Sequence, residues 1–107
     1  DWPNAGPVIA KLREELAELE AEVDSGSGAE KLTDELGDVL FVACNLARKL
    51  QIDVSTALRA TNTKFERRFR RMEALARANG LVFADLDLAA QEALWSQARL
   101  ADHAGEL

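Results

Sequence analysis

The sequence predicts an all-α protein folded as a bundle of four helices. Ala, Leu, Glu and Arg dominate its 107 residues, and these residue types lose little conformational freedom in a helix. Apolar residues recur every three or four positions, and only two prolines interrupt the pattern. A chain of this length that is 48% apolar fits one domain with a limited core, so we expect a homo-oligomer to bury the remaining apolar surface.

The first helix is predicted over residues 7–23, after a non-helical lead-in that contains Trp2 and Pro3. Pro7 suits a first helical turn, because an N–H group at that position would have no partner within the helix. The apolar positions of this helix define one buried stripe: Val8, Ile9, Leu12, Leu16, Leu19 and Val23. The Ser/Gly-rich run at 24–28 ends the helix.

The second helix is predicted over residues 29–50. Its predicted buried positions are Leu32, Leu36, Val39, Leu40, Ala43, Leu46, Ala47 and Leu50. Phe41 and Val42 widen the apolar surface beyond one stripe, which is typical of a central helix or of one covered by a partner. Gly37 is unusual here, since Gly in a helix interior costs about 1 kcal/mol relative to Ala. We therefore expect another helix or a ligand to approach closely at Gly37.

The third helix is predicted over residues 54–79, with Asp53 as its N-cap and Asn79-Gly80 as its stop signal. Its apolar seam consists of Leu58, Phe65, Phe69, Met72 and Leu75. Residues 81–86 are expected to form a connection to the last helix.

The fourth helix is predicted over residues 88–101, packed around Trp95, with Asp85 or Asp87 as its cap. The tail from Asp102 onward is expected to fray, as chain ends do when nothing ties them down. No internal repeat is evident.

Cys44 is the only cysteine, so no internal disulfide is possible and a reducing, cytoplasmic setting is indicated. No stretch has the unbroken apolar length of a membrane span or signal peptide, so we expect no membrane partner. The sequence begins at Asp1 without Met, and we expect a processed chain or a domain excised from a longer protein.

Charge is divided unevenly along the chain. Acidic residues concentrate between positions 14 and 38, basic residues concentrate between 59 and 77, and the net charge is −6. The negative total argues against nucleic acid as a partner. An acidic and a basic pole suit a ligand that needs both, such as a metal-bound polyphosphate, although two solvated helix faces would give the same pattern.

Two pairs of carboxylates have the spacing that places both members on one face of a helix. Glu15 and Glu18 form the first pair, and Glu35 and Asp38 form the second. If the two helices pack antiparallel, the four groups converge, and a divalent cation is the simplest way to offset their repulsion. Ligation by oxygen alone predicts Mg²⁺, with Mn²⁺ as a substitute. The alternative is that these residues, like Glu14, face solvent, as Glu usually does on an amphipathic helix.

A basic face follows on the third helix. Lys64, Arg68 and Arg71 are four and three positions apart, so they share one face. Forked guanidinium donors match phosphate oxygens, and a Lys adds a point charge. The same spacing also fits a solvated face whose arginines pair with Glu.

Three ordered blocks of sequence carry a family resemblance. They are residues 11–18 (KLREELAE), 35–41 (ELGDVLF) and 62–69 (NTKFERRF). Together they resemble the MazG family of all-α nucleoside triphosphate pyrophosphohydrolases, and the E-E-x-x-E and E-x-x-D motifs of that family are both complete here. The likeness extends from Trp2 to Trp95.

The resemblance implies a role for each matched residue. The catalytic residues that it implies are Glu14, Glu15, Glu18, Glu35 and Asp38. The last four of these match the Mg²⁺ ligands, and Glu14 matches a second-metal ligand or a water-activating group. The substrate-binding residues that it implies are Lys64 and Arg68 on the phosphates, joined by Lys31 and Asn62, and Trp95 near the nucleotide pocket. A core anchor for the last helix explains Trp95 equally well.

The resemblance further implies a reaction and an assembly. The family is dimeric or forms dimers of dimers, and it converts an NTP or dNTP to the monophosphate and pyrophosphate, a house-cleaning activity on the nucleotide pool. We expect a Mg²⁺-activated water, oriented by Glu14 or Glu18, to attack within the triphosphate. One alternative is a non-catalytic helical dimerisation or regulatory module. Another is a narrower all-α hydrolase, either dUTPase-like or phosphoribosyl-ATP pyrophosphohydrolase-like.

Overall fold

Four α-helices make up most of the computed structural model, which describes residues 4–105. They are α1 (Ala5–Asp24), α2 (Ala29–Lys49), α3 (Val54–Ala78) and α4 (Leu88–His103). A short 3₁₀ turn, Phe83–Asp85, precedes α4, and residues 4–105 contain no strand. The all-α class and all four predicted helices are confirmed. None of these helices combines the length and the apolar character needed to cross a bilayer.

The two outer ends of the helical region differ from the prediction. α1 begins at Ala5, after Asn4 in the left-handed conformation (φ 73°), which Asn tolerates better than most residues. The predicted lead-in residues Trp2 and Pro3 lie outside the described residues. At the other end α4 continues to His103, so the prediction that the chain frays from Asp102 is wrong.

Glycines end two of the helices as the sequence predicts. Gly26 has a φ of 71°, and the N–H of Ser27 donates to the carbonyl of Glu22 at 3.1 Å. This closure is the Schellman motif, in which a left-handed residue after the helix satisfies carbonyls that have no partner within it. Gly80 has the same conformation after α3.

Aspartates begin α3 and α4. Asp53 accepts hydrogen bonds at 2.9 and 2.7 Å from the backbone N–H and the hydroxyl of Thr56, which lower the pKa of the Asp53 carboxyl. Asp87 accepts from the backbone N–H of Ala90 at 2.9 Å. The predicted cap at Asp53 is confirmed, and Asp87 rather than Asp85 caps α4.

Packing divides the chain into two compact units, with the boundary between Ala57 and Leu58 inside α3. In the first unit α1 and α2 form a hairpin across the short connection at 25–28. The second unit contains the rest of α3 and α4. It includes an aromatic contact between Phe65 and Trp95, whose ring centroids are 5.3 Å apart.

The described part of the chain has few buried apolar residues. They are Ala5, Val42, Met72, Ala76 and Ala98. Several predicted core positions are instead exposed: Ile9, Leu16, Val23, Leu36, Leu40, Leu58, Phe65 and Phe69. Their predicted burial is wrong for the single chain. For α1 and α2 the physical reason is that a hairpin of two helices has only one internal face, so an apolar surface wider than that face stays outside.

An open stripe lies on α2, formed by Gly37, Leu40, Phe41 and Cys44 at helical spacing. Leu40 is 58% exposed and Phe41 is 75% exposed. A methyl group added at Gly37 would meet nothing within 4 Å, so the expected close approach of another helix is absent from the described residues. We call these four residues the α2 outer stripe.

Candidate active site

Two glutamates are buried in the α1–α2 hairpin. Glu15 is 7% exposed and Glu35 is 8% exposed, although carboxylates are rarely buried unless they are paired. Each has a lysine one turn earlier, with Lys11 Nζ 3.1 Å from Glu15 Oε1 and Lys31 Nζ 3.2 Å from Glu35 Oε1. Hydrogen bonding to these carboxylates raises the pKa of both lysines, so each stays charged beside its glutamate.

Carboxylates from both helices converge on Glu35. Oxygens of Glu15, Glu18 and Glu35 lie within 4.8 Å of one another, and so do oxygens of Asp34, Glu35 and Asp38. Glu35 Oε2 is buried and has no hydrogen-bond partner among the described residues. A buried carboxylate oxygen without a donor is destabilising by itself, and a cation in contact with it would remove the penalty.

Two neighbours of Glu35 have raised pKa values. Hydrogen bonding to Glu15, followed by repulsion from the Glu15 charge, raises the pKa of Glu18. Burial, followed by repulsion from Asp34 and Glu15, raises the pKa of Asp38. Both shifts oppose ionisation, and a divalent cation would act in the opposite direction.

The donor set fits Mg²⁺. It consists of carboxylate oxygens from two adjacent helices, which Mg²⁺ and Mn²⁺ prefer and Zn²⁺ does not. Asp34 belongs to this set although the motif spacing did not single it out. Glu14 is outside both carboxylate groups: its side chain is 64% exposed, 3.9 Å from Lys11 Nζ.

The two halves of the carboxylate site repeat each other. Residues 11–19 read KLREELAEL and residues 31–39 read KLTDELGDV, an offset of 31 − 11 = 20 positions with four of nine residues identical. The burial pattern is the same in both segments, with the glutamate fifth in each segment as the buried member. The expectation that the chain has no internal repeat is therefore wrong. Comparing the two segments indicates Lys11, the counterpart of Lys31, as a further candidate site residue.

In the second unit, Arg68 is almost enclosed. It is 7% exposed, its Nε donates to Asp102 Oδ2 at 2.7 Å, and its guanidinium carbon lies 5.5 Å from the centroid of the Trp95 ring. Its Nη2 is 3.4 Å from His103 Nε2. Trp95 therefore packs against Phe65 and also carries a cation–π contact with Arg68.

Asp102 joins α3 to α4. Both of its oxygens accept from Arg67, with Nε and Nη2 each donating at 2.9 Å, and one oxygen also accepts from Arg68. Hydrogen bonds from Arg67, then from Arg68, lower the pKa of Asp102 to about 2. These ion pairs explain why α4 does not fray at Asp102. No local signal predicts them, because the partners are more than 30 positions apart in the sequence.

Replacing Asp102 by asparagine should lower stability in a pH-dependent way. The lowered pKa means that the ionised carboxyl stabilises the fold fully above its ordinary value of 3.8, and that this stability is lost as the pH falls through about 2. The parent and Asp102→Asn should therefore differ in unfolding free energy at pH 6, and the difference should shrink toward zero near pH 2. Urea denaturation at several pH values measures this difference in unfolding free energy. A difference that stays constant to pH 2 would contradict the ion pairing.

Of the remaining basic-face and binding residues, Asn62 and Lys64 are exposed on α3 and Arg71 is half-buried. Asn62 lines a groove of about 460 Å³ together with Phe65 and Phe69. Lys64 is exposed and has no ion pair among the described residues. Arg71 has a buried Nε without a hydrogen-bond partner among those residues, so its orientation differs from that of a solvated surface arginine. The structure thus groups the predicted metal ligands in the first unit and Asn62, Lys64, Arg68 and Trp95 in the second.

Known proteins match the chain over most of its length. Residues 7–72 match the MazG nucleotide pyrophosphohydrolase domain. A nucleoside triphosphate pyrophosphohydrolase of Escherichia coli is 41% identical over 104 residues, which cover 92% of this chain and 38% of that protein. The nucleoside triphosphate pyrophosphohydrolase/pyrophosphatase MazG of Thermotoga maritima is 37% identical over 102 residues, 95% of this chain and 38% of that protein. The chain therefore spans 38% of the length of each of these relatives.

Proposed function

The chain belongs to the MazG nucleotide pyrophosphohydrolase domain family, and on that premise we propose that it hydrolyses NTPs or dNTPs to the monophosphate and pyrophosphate with Mg²⁺. One observation carries the proposal: carboxylates from two helices converge on a buried Glu35 oxygen that has no partner among the described residues. Two matched relatives are named for nucleoside triphosphate pyrophosphohydrolysis, which indicates the substrate class.

The metal would be held by the carboxylates of Glu15, Glu18, Glu35 and Asp38, with Asp34 beside them. When bound, Mg²⁺ or Mn²⁺ supplies positive charge that neutralises phosphate oxygens and assists attack by water. Glu14 is solvent-exposed one residue from Glu15, and the proposal assigns it to orient the attacking water or to accept its proton.

Lys11 and Lys31 would serve the substrate. Each is the counterion of one buried glutamate. If those glutamates held a divalent cation, each lysine ammonium group would be available to a phosphate oxygen. The repeated spacing of the two segments supplies one lysine from each helix for this purpose.

In the second unit, the proposal assigns Asn62, Lys64, Arg68 and Trp95 to the substrate. The phosphates would be contacted by Lys64 and Arg68, and the groove beside Asn62 offers apolar aromatic surface of the kind that a base packs against. The aromatic contacts of Trp95 support both a packing role and a place beside the nucleotide.

We further propose a single MazG-type domain that acts as a homodimer or homotetramer in the cytoplasm. The family match runs from 7 to 72 and so crosses the boundary between the two compact units, which supports one functional domain. The α2 outer stripe supports self-association, because exposed Leu40 and Phe41 form an apolar surface that a second copy can cover.

An assay of pyrophosphate release across the common NTPs and dNTPs tests the function. We expect release of pyrophosphate and monophosphate with several nucleotides in Mg²⁺, none in EDTA, and recovery on adding Mn²⁺. Activity on one nucleotide alone would favour the narrower hydrolase, and no release with any nucleotide would favour the non-catalytic module. Either result would contradict the proposal.

A further inference from the structure

We propose that Asp102 is a positioning residue for substrate binding, because it holds the Arg68 guanidinium against Trp95 with donors left for a triphosphate. The inference rests on the proposed function. It concerns a residue outside the matched segment 7–72, on a helix that the acidic and basic motifs do not include.

The contacts of Arg68 fix its orientation while leaving donors available. Asp102 Oδ2 accepts from Nε at 2.7 Å, and the Trp95 ring lies 5.5 Å from the guanidinium carbon, so both the edge and the face of the group are held. Nη2 faces His103 at 3.4 Å, and Nη1 has no hydrogen-bond partner among residues 4–105. An arginine has five N–H donors, so enough remain for a phosphate contact.

The charge around Asp102 is compatible with an anion. Arg67 and Arg68 share this one carboxylate, so the group of three carries a net charge of +1. Lys64, one helical turn before Arg68 and without an ion pair among the described residues, adds a further positive charge. Asp102 therefore orients a guanidinium without neutralising the cluster, which is the condition for preorganised phosphate binding.

Arg67 offers a comparison that distinguishes the positioning of Arg68 by Asp102 from the attachment of α4 to α3. Its two hydrogen bonds to Asp102 already tie the helices together, and its side chain is 41% exposed. The bond from the nearly buried Arg68 is additional to that tie. Removing Arg67 should therefore weaken the α3–α4 attachment and leave the Asp102–Arg68 contact in place.

A double-mutant cycle tests the proposal, with kcat and KM for pyrophosphate release measured for the parent, Arg68→Ala, Asp102→Asn and the double variant. Loss of a guanidinium–phosphate contact should raise KM about 30-fold or more in Arg68→Ala. Asp102→Asn should raise KM roughly fivefold to tenfold with little change in kcat, since one neutral acceptor remains. In the Arg68→Ala background it should have no further effect on KM, because the group that it positions is gone.

Three matched variants complete the design. Asp102→Glu keeps the charge and moves it by one methylene, so its KM should lie between those of the parent and Asp102→Asn. Arg67→Ala should lower the melting temperature by loosening the α3–α4 attachment, with a smaller rise in KM than Asp102→Asn because the Asp102–Arg68 contact remains. Glu92→Gln makes the same acid-to-amide change as Asp102→Asn at an exposed position of α4 and should leave KM unchanged.

An optical readout does not depend on turnover. With Trp2 replaced by Phe, Trp95 is the single indole of the chain. Its fluorescence emission should change in the same direction in Asp102→Asn and Arg68→Ala, because both variants remove the guanidinium from the ring.

The possible failures are distinguishable. An equal rise in KM for Asp102→Asn in both backgrounds would overturn the positioning role. An active parent with an unaffected Arg68→Ala variant would overturn it as well, while leaving the proposed reaction intact. A parent without pyrophosphatase activity would overturn the proposed function together with this inference.

Discussion

Replacing Asp38 by asparagine should abolish pyrophosphate release, with kcat lowered about 10³-fold or more. The amide has the shape of the carboxylate but lacks the charge that a divalent cation requires. Asp38 is destabilised in its ionised form by burial and by the charges of Asp34 and Glu15, so the substitution also relieves repulsion in the metal-free protein. We therefore expect the variant to melt at the same temperature as the parent or higher in EDTA.

Loss of activity without loss of thermal stability distinguishes a metal ligand from a residue that only supports the fold. Mg²⁺ should raise the melting temperature of the parent through preferential binding to the folded state, and it should have little effect on Asp38→Asn. Glu20→Gln is the matched control, because it makes the same chemical change at an exposed position of α1 outside both carboxylate groups. Parent-level turnover by Asp38→Asn would show that the metal assignment is wrong.

The helices could be predicted from local chemistry. Asp53 is followed three residues later by the N–H group that it caps, and Gly26 is the residue type that accepts a left-handed conformation after a helix. Such signals lie within a few residues of the boundary that they set. The left-handed Gln51 after α2 carries no such signal, and the end of that helix was predicted one residue too late.

The clustering of the carboxylates could also be predicted, since Glu35 and Asp38 share a helix face by spacing alone. The exposure of Leu36 and Leu40 could not be predicted, because a sequence shows an apolar surface without showing what covers it. Asp102 was missed for a related reason. Its partners on α3 are set by the packing of two helices, and a single acidic residue near the end of a sequence does not indicate that packing.

The two roles predicted for Trp95 could not be separated from the sequence. The sequence permitted either a packing residue or a nucleotide contact, and the structure gives Trp95 contacts with both Phe65 and Arg68. A large amphipathic ring can serve both purposes at once, so the two interpretations were never exclusive.

Replacing Phe41 by aspartate should convert the proposed dimer to a monomer. Phe41 is 75% exposed at the centre of the α2 outer stripe, where open space at Gly37 leaves room for a close helix approach. In a two-fold dimer the substitution occurs twice, so it removes two aromatic anchors and places two charges in one apolar interface. We expect the dissociation constant to rise about 100-fold or more, equivalent to ~3 kcal/mol.

Sedimentation or light scattering over a range of protein concentrations measures this change. Leu100→Asp is the matched control, since Leu100 is an apolar residue of the second unit that is 69% exposed on α4. Dissociation by Leu100→Asp alone would place the interface in the second unit and contradict the proposal. Because buried apolar residues in the described chain are few, the Phe41→Asp monomer should also melt well below the parent, as expected when folding and association are coupled.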